Sequence, residues 1–133
     1  MSNDDELAAA AIAARGNAYA PYSGFPVGAA VRDERGRVHA GANAENAAYP
    51  SGTCAEAGAI AAMVVAGGRR IAAIAVAGGA GPLCTPCGSC RQRIREFALP
   101  DTPVLICGPD GVRARFTLAE LLPESFGPEN LSS

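Results

Sequence analysis

Thr53-Cys54-Ala55-Glu56 and, further along, Pro86-Cys87-Gly88-Ser89-Cys90 are the residues whose types and spacing suit chemistry. Zinc accepts cysteine thiolates in tetrahedral geometry at about 2.3 Å, and a catalytic zinc keeps three protein ligands with one position open to water. Cys87 and Cys90 are three apart at an expected helix start, so both sulfurs fall on one face. Cys54 lies at another helix start and approaches from the opposite side. Both helices would aim their positive ends at the metal, which favours thiolate over thiol. Glu56 has two readings. Thr53-x-x-Glu56 fits a capping box, in which the carboxylate merely closes the helix end. Alternatively Glu56 moves protons, which requires Cys54 to sit at a barely helical first position, because residues two apart do not share a helix face. The spacing alone leaves the two comparable, and the distant Pro-Cys-x-x-Cys favours the catalyst.

Cys84 and Cys87 form a second CxxC. Pro86 is placed to start a helix, so Cys87 and Cys90 are the preferred pair, and Cys84 falls in loop. A four-cysteine closed site would be structural and inert. Cys107 reads as a buried strand residue.

The elements that must position these groups follow from the pattern. Asp4 to Asn17 reads as an Ala-rich helix ending near Gly16. Pro26 to Arg32 and Arg37 to Ala42 read as a hairpin across Asp33-Glu-Arg-Gly36. Asn43 to Gly52 is irregular. Thr53 to Ala66 has helical length and is apolar on all sides, which predicts deep burial. Ile71 to Ala77 is a continuous apolar strand, expected where both sheet faces are covered. Cys87 to Phe97 is a helix, and Pro103 to Cys107 and Val112 to Phe116 are strands around a Pro109-Asp-Gly turn. Thr117-Leu-Ala-Glu120 is a capping-box pattern opening a short helix that ends at Leu122. Strands alternating with helices predict an α/β layer structure with helices on both faces. At 133 residues the chain, 1–133, reads as a single domain.

Composition narrows the function. The net charge is −2 and the eleven basic residues are all Arg, scattered without a basic stripe. Little surface is offered to a phosphate backbone, so no nucleic-acid partner is expected and a small molecule is. Charged residues make up only 18%, below the usual ~25%, which suggests surface covered by sister subunits. Ile71 to Cys90 carries no charge, but its prolines, glycines and polar side chains suit no membrane helix. An odd cysteine count and an acidic, unsignal-like start predict a reducing, cytoplasmic setting without a disulfide framework. His39, the single histidine, reads as a satisfied strand residue rather than a ligand.

Cys-Ala-Glu with a later Pro-Cys-x-x-Cys matches the known signature of zinc deaminases. The chain also resembles the small homotetrameric cytidine deaminases in Pro21-Tyr-Ser-Gly-Phe25-Pro-Val-Gly-Ala-Ala30, Gly41-Ala-Asn43-Ala-Glu45-Asn46-Ala-Ala-Tyr49-Pro50, Cys87-Gly-Ser-Cys90-Arg91-Gln92 and Leu121-Leu-Pro-Glu-Ser-Phe126-Gly. The resemblance implies a three-layer α-β-α sandwich around a mixed five-stranded sheet, and a homotetramer with shared active sites. It implies Zn²⁺ on Cys54, Cys87 and Cys90, with Glu56 as the catalytic acid and base. The activity implied is hydrolysis of cytidine and 2′-deoxycytidine to the uridines and ammonia, in pyrimidine salvage. Asn43 and Glu45 would bind the ribose hydroxyls, with Phe25 and Ala55 beside the base. Tyr49 would join the substrate site at an intersubunit contact, and Phe126 would stack on the base in a neighbour's site. Related readings are a deaminase of another cytosine nucleoside, such as blasticidin S, or a structural zinc module.

One departure is specific to this chain. Many relatives carry Arg directly after Cys-Ala-Glu, where Ala57 stands here. Three thiolates on Zn²⁺ leave net charge −1, and nearby donors must compensate. Arg91 is the side chain expected to do so.

Overall fold

The computed structural model describes residues 3–132, so Met1, Ser2 and Ser133 at the ends of the expected domain lie outside it. Helix α1 (Asn3–Arg15) opens the chain, followed by β1 (Gly28–Asp33) and β2 (Val38–Ala42). Then come α2 (Ala55–Val65), β3 (Ile71–Ala77), α3 (Gly88–Phe97), β4 (Pro103–Gly108), β5 (Gly111–Thr117) and α4 (Leu118–Leu121). Thr117 caps α4 with the expected capping box, its hydroxyl accepting from the Glu120 amide while the Glu120 carboxylate accepts from the Thr117 amide.

The sheet order is β2-β1-β3-β4-β5. β1 pairs antiparallel with β2 and β3, β3 runs parallel to β4, and β4 pairs antiparallel with β5. The mixed five-stranded sheet is therefore present as expected. Strand periodicity sorts its two faces. Ile74 and Val76 of β3 and Val104 and Ile106 of β4 join one core with Ala59, Ile60 and Met63 of α2, Ile94 of α3 and Leu118 of α4. Ala73, Ala75 and Ala77 of β3 and Leu105 and Cys107 of β4 turn to the other face, against Leu7, Ala8 and Ala11 of α1. This makes the three layers: α1, the sheet, and the remaining helices. Cys107 is buried in a strand as expected, and burial pushes its thiol up to about 11.

Small residues let the helices approach the sheet. A Cβ at Gly41 of β2 would stand 2.4 Å from the Ala59 amide nitrogen and 2.6 Å from the Ala55 carbonyl oxygen. Gly41 thus allows the first turns of α2 to lie directly on the strand, which fixes the depth of Cys54 and Glu56. α2 is not buried all round: Val65 is 89% exposed and Ala61 is exposed. Its apolar pattern exceeds what the sheet of one chain covers. At the far end of the hairpin, Asp33 is buried and bonded by His39 Nε2 at 2.8 Å, Arg37 Nε at 2.9 Å and the amides of Arg35 and Arg37. His39 is the satisfied strand residue its context predicts.

Candidate metal centre and active site

The three sulfurs converge because two helices begin at one place. Cys54 is the N-cap of α2 and Cys87 the N-cap of α3, both in extended conformation with no side-chain cap bond. Cys90 lies in the first turn of α3 and is fully buried. The three Sγ atoms are all within 4.8 Å of one another, and they are the one cluster of three or more metal-ligating side chains among the described residues. Sulfurs on a tetrahedral zinc stand about 3.8 Å apart, so this donor set fits zinc with small side-chain adjustments. Cys84 is outside the cluster. Among the described residues no fourth cysteine joins the cluster.

The helix ends tune the thiols unequally. The Cys90 and Ser89 amides at the start of α3 point at Cys87 and hold its thiol below the ordinary range. Cys90 is shifted the other way by burial, by the Glu56 carboxylate and by Cys54. That opposition expresses the crowding of acidic groups into one space, which a divalent cation relieves.

Glu56 is 5% exposed and lines the same cavity. Burial raises its pKa, against opposing contributions from its own backbone amide, Cys90 and Arg93. The capping-box reading fails on geometry: the residue that caps α2 is Cys54, not Thr53. With Cys54 still extended and Glu56 already helical, both side chains reach one space.

A cavity of about 420 Å³ opens over these groups, lined among others by Phe25, Asn43, Glu45, Tyr49, Ala55 and Cys84. Its rim is tied to the centre by backbone bridges. Ala44 exchanges both backbone hydrogen bonds with Thr53, and Tyr19 pairs with Asn43 and Glu45. Asn43 accepts from the Val27 amide at 2.9 Å and donates to the Phe25 carbonyl at 3.0 Å. Glu45 accepts from the amides of Tyr22 and Ser23, both at 3.0 Å, and from the Ser23 hydroxyl. These bonds hold its carboxyl below the usual range, the Ser23 hydroxyl foremost. Tyr49 is exposed and stacks obliquely on Tyr22, ring centroids 5.9 Å apart.

Phe126 and Arg91 do not line this cavity. Phe126 is 49% exposed, and its carbonyl accepts from Gln92 Nε2 at 2.8 Å. Among the described residues, none of the hydrogen bonds of Arg91 goes to a sulfur. Its guanidinium donates to the Pro86 carbonyl at 2.7 Å, the Leu121 carbonyl at 2.7 Å and the Thr85 hydroxyl at 3.2 Å. Arg91 therefore braces the segment leading into Cys87 from behind. The arginine that touches a sulfur is Arg93, with Nη1 3.3 Å from Cys90 Sγ. The spacing Cys90-x-x-Arg93 places both on one face of α3, a signal the sequence carried. Ser23, the buttress of Glu45, is a long-range partner that spacing did not mark.

Residues 1–106 match the cytidine and deoxycytidylate deaminase zinc-binding region. The cytidine deaminase of Sporosarcina psychrophila is 42% identical over 129 residues, covering 96% of this chain and 94% of that one. That of Mycobacterium tuberculosis H37Rv is 42% identical over 118 residues, 89% of this chain and 85% of its own. The crystal structure of cytidine deaminase from Burkholderia pseudomallei superposes with a TM-score of 0.85 at 42% identity, covering 91% of this chain and 97% of that one. With three sulfurs poised for one metal and a buried carboxylate beside them, the chain belongs to the cytidine and deoxycytidylate deaminase family.

Proposed function

We propose that this protein deaminates cytidine and 2′-deoxycytidine hydrolytically, consuming one water and releasing ammonia with uridine or 2′-deoxyuridine. The observation that carries the reading is the union in one cavity of Cys54, Cys87 and Glu56, with Cys90 directly behind. Cys54, Cys87 and Cys90 hold the zinc. Zinc bound there would supply a polarised water of much lowered pKa.

The remaining chemistry belongs to the chain. Glu56 takes the proton of the attacking water and passes it to N3 of the pyrimidine as the C4–O bond forms. It then takes the second proton from the new C4 hydroxyl and delivers it to the departing amine as the C4–N bond breaks and the C4 carbonyl forms. A single carboxylate serving as base and then acid works best with a pKa raised toward neutrality, and burial shifts Glu56 in that direction. Phe25 and Ala55 line the space for the base. Asn43 and Glu45 face the sugar. A grip on the free 3′-hydroxyl excludes nucleic-acid chains, and the Glu45 charge disfavours a phosphate.

We further propose a homotetramer in which Tyr49 meets a neighbouring subunit and Phe126 enters a neighbour's cavity. The exposure of Tyr49, Phe126 and the α2 residue Val65 supports this assembly. A cytoplasmic role in pyrimidine salvage accords with five free cysteines. No helix among the described residues is long and apolar enough to cross a membrane.

The test is the loss of cytidine absorbance in the ultraviolet, run with cytidine, 2′-deoxycytidine and blasticidin S, before and after chelation. Turnover of the two plain nucleosides that disappears on chelation and returns with zinc is expected. Zinc retention without turnover of any of them would overturn the reading.

A further inference from the structure

Zinc with three thiolates carries net charge −1. An uncompensated negative centre binds its metal less firmly and polarises water less, so a positive group must lie close enough to act before solvent screens it. The helix termini contribute partial charges only. Among the described residues, the one cationic side chain hydrogen-bonded to any of the three sulfurs is Arg93, whose Nη1 donates to Cys90 Sγ at 3.3 Å. Arg91 is committed to the Pro86 and Leu121 carbonyls and the Thr85 hydroxyl.

The placement has a structural logic. Cys90 is a buried residue of α3 and Arg93, one turn later, is exposed, so its long side chain returns toward the preceding turn as helical geometry directs. The accepting sulfur is fully buried, and a donor bond to a desolvated, charged acceptor is worth more than a surface ion pair.

We propose that Arg93, through its contact with Cys90 Sγ, compensates the excess negative charge of the three-thiolate centre and sets how tightly the metal is held. Arg93 is a positioning residue that acts through Cys90. The inference rests on the zinc-deaminase reading and adds the residue that balances its metal.

The experiment compares wild type, Arg93→Met and Arg93→Lys as full chains. Zinc affinity is measured by competition with a chromophoric chelator, and the melting temperature of each metal-free chain is recorded. Arg93→Met is expected to weaken zinc binding about 10- to 100-fold while its metal-free chain melts as wild type does. Arg93→Lys keeps the charge and is expected to recover most of that loss. In cobalt-substituted protein, losing the donor to sulfur in Arg93→Met moves the thiolate-to-cobalt charge-transfer band to lower energy, which a merely structural role would not do. Should Arg93→Met not fold, the same comparison is made between Arg93→Gln and Arg93→Lys. A neutral variant with zinc affinity within twofold of wild type and an unmoved band overturns the proposal. A wild-type chain that binds no zinc at all overturns the deaminase reading, and this inference with it.

Discussion

Cys54 stands in extended conformation at the cap of α2, and Glu56, two residues on, is already inside the helix and 5% exposed. Within a regular helix the two would diverge by more than half a turn. The break in backbone conformation between them turns Cys-Ala-Glu into a sulfur and a carboxylate that face one cavity.

Glu56→Gln preserves shape and removes the titrating oxygen. The variant is expected to retain its zinc and lose about 100- to 10,000-fold in kcat, the usual contribution of a positioned acid–base group. Metal content by atomic absorption and the cytidine absorbance assay give the two readings. A variant that kept near wild-type turnover would remove Glu56 from the chemistry.

Cys87→Ala is expected to lose the metal outright, because two sulfurs leave a zinc site incomplete. Chelation of the wild type mimics it. Both lower the melting temperature, since a metal that binds only the folded chain stabilises it by mass action. Cys84→Ala lies outside the three-sulfur cluster and is expected to keep the zinc. Equal zinc loss from both variants would mean that the sulfur set is wrongly assigned.

Much of this was legible in the sequence, for a physical reason. Cysteine at helix starts, with proline before Cys87, places each sulfur by local rules, while the meeting of the two starts belongs to the tertiary fold. The strand Ile71–Ala77 declared itself because both sheet faces are covered. With Ala57 where many relatives carry Arg, Arg91 was the side chain expected to compensate; the structure gives the sulfur contact to Arg93, one helical turn after Cys90. The apolar run of α2 predicted burial on all sides, yet Val65 remains exposed: a pattern states that a face is apolar, not which molecule covers it. The anchoring of Glu45 by Tyr22 and Ser23 depends on loops meeting across more than twenty residues, which no short spacing encodes.

Asn43 joins stability to specificity. Its amide bridges the Phe25 carbonyl and the Val27 amide, so Asn43→Ala leaves two backbone groups without a partner. A loss of about 1–3 kcal/mol in unfolding free energy is expected by denaturant titration. The same variant is expected to raise KM for cytidine and weaken the preference for cytidine over free cytosine. Unchanged discrimination would show that Asn43 only braces the Phe25 segment.

Asp33 predicts how the fold responds to acid. Burial pushes its carboxyl up, but His39, the Arg37 and Arg35 amides and the Arg37 side chain outweigh this and leave it well below the usual carboxylate range. A group depressed in the folded state stabilises fully above its unfolded pKa of about 3.9 and loses that contribution as pH falls toward the folded value. Asp33→Asn is therefore expected to melt lower at neutral pH and to show a shallower loss of stability below pH ~4. Parallel acid profiles for the two proteins would exclude Asp33 as the group responsible.

Phe126 tests the assembly. Its ring is half exposed and absent from its own chain's cavity, while its carbonyl is fixed by Gln92 on α3. If the ring completes a neighbour's site, Phe126→Ala raises KM and Glu56→Gln abolishes turnover in each uniform oligomer, but oligomers mixing the two regain activity. In the mixture, a chain with intact Glu56 and no Phe126 receives the ring of a neighbour that lacks only Glu56. A site built entirely within one chain has no such route, because every chain in the mixture is missing one of the two groups. Restored turnover on co-refolding, absent when the two uniform oligomers are simply combined, is the expected outcome. Failure to restore it would confine each active site to a single subunit.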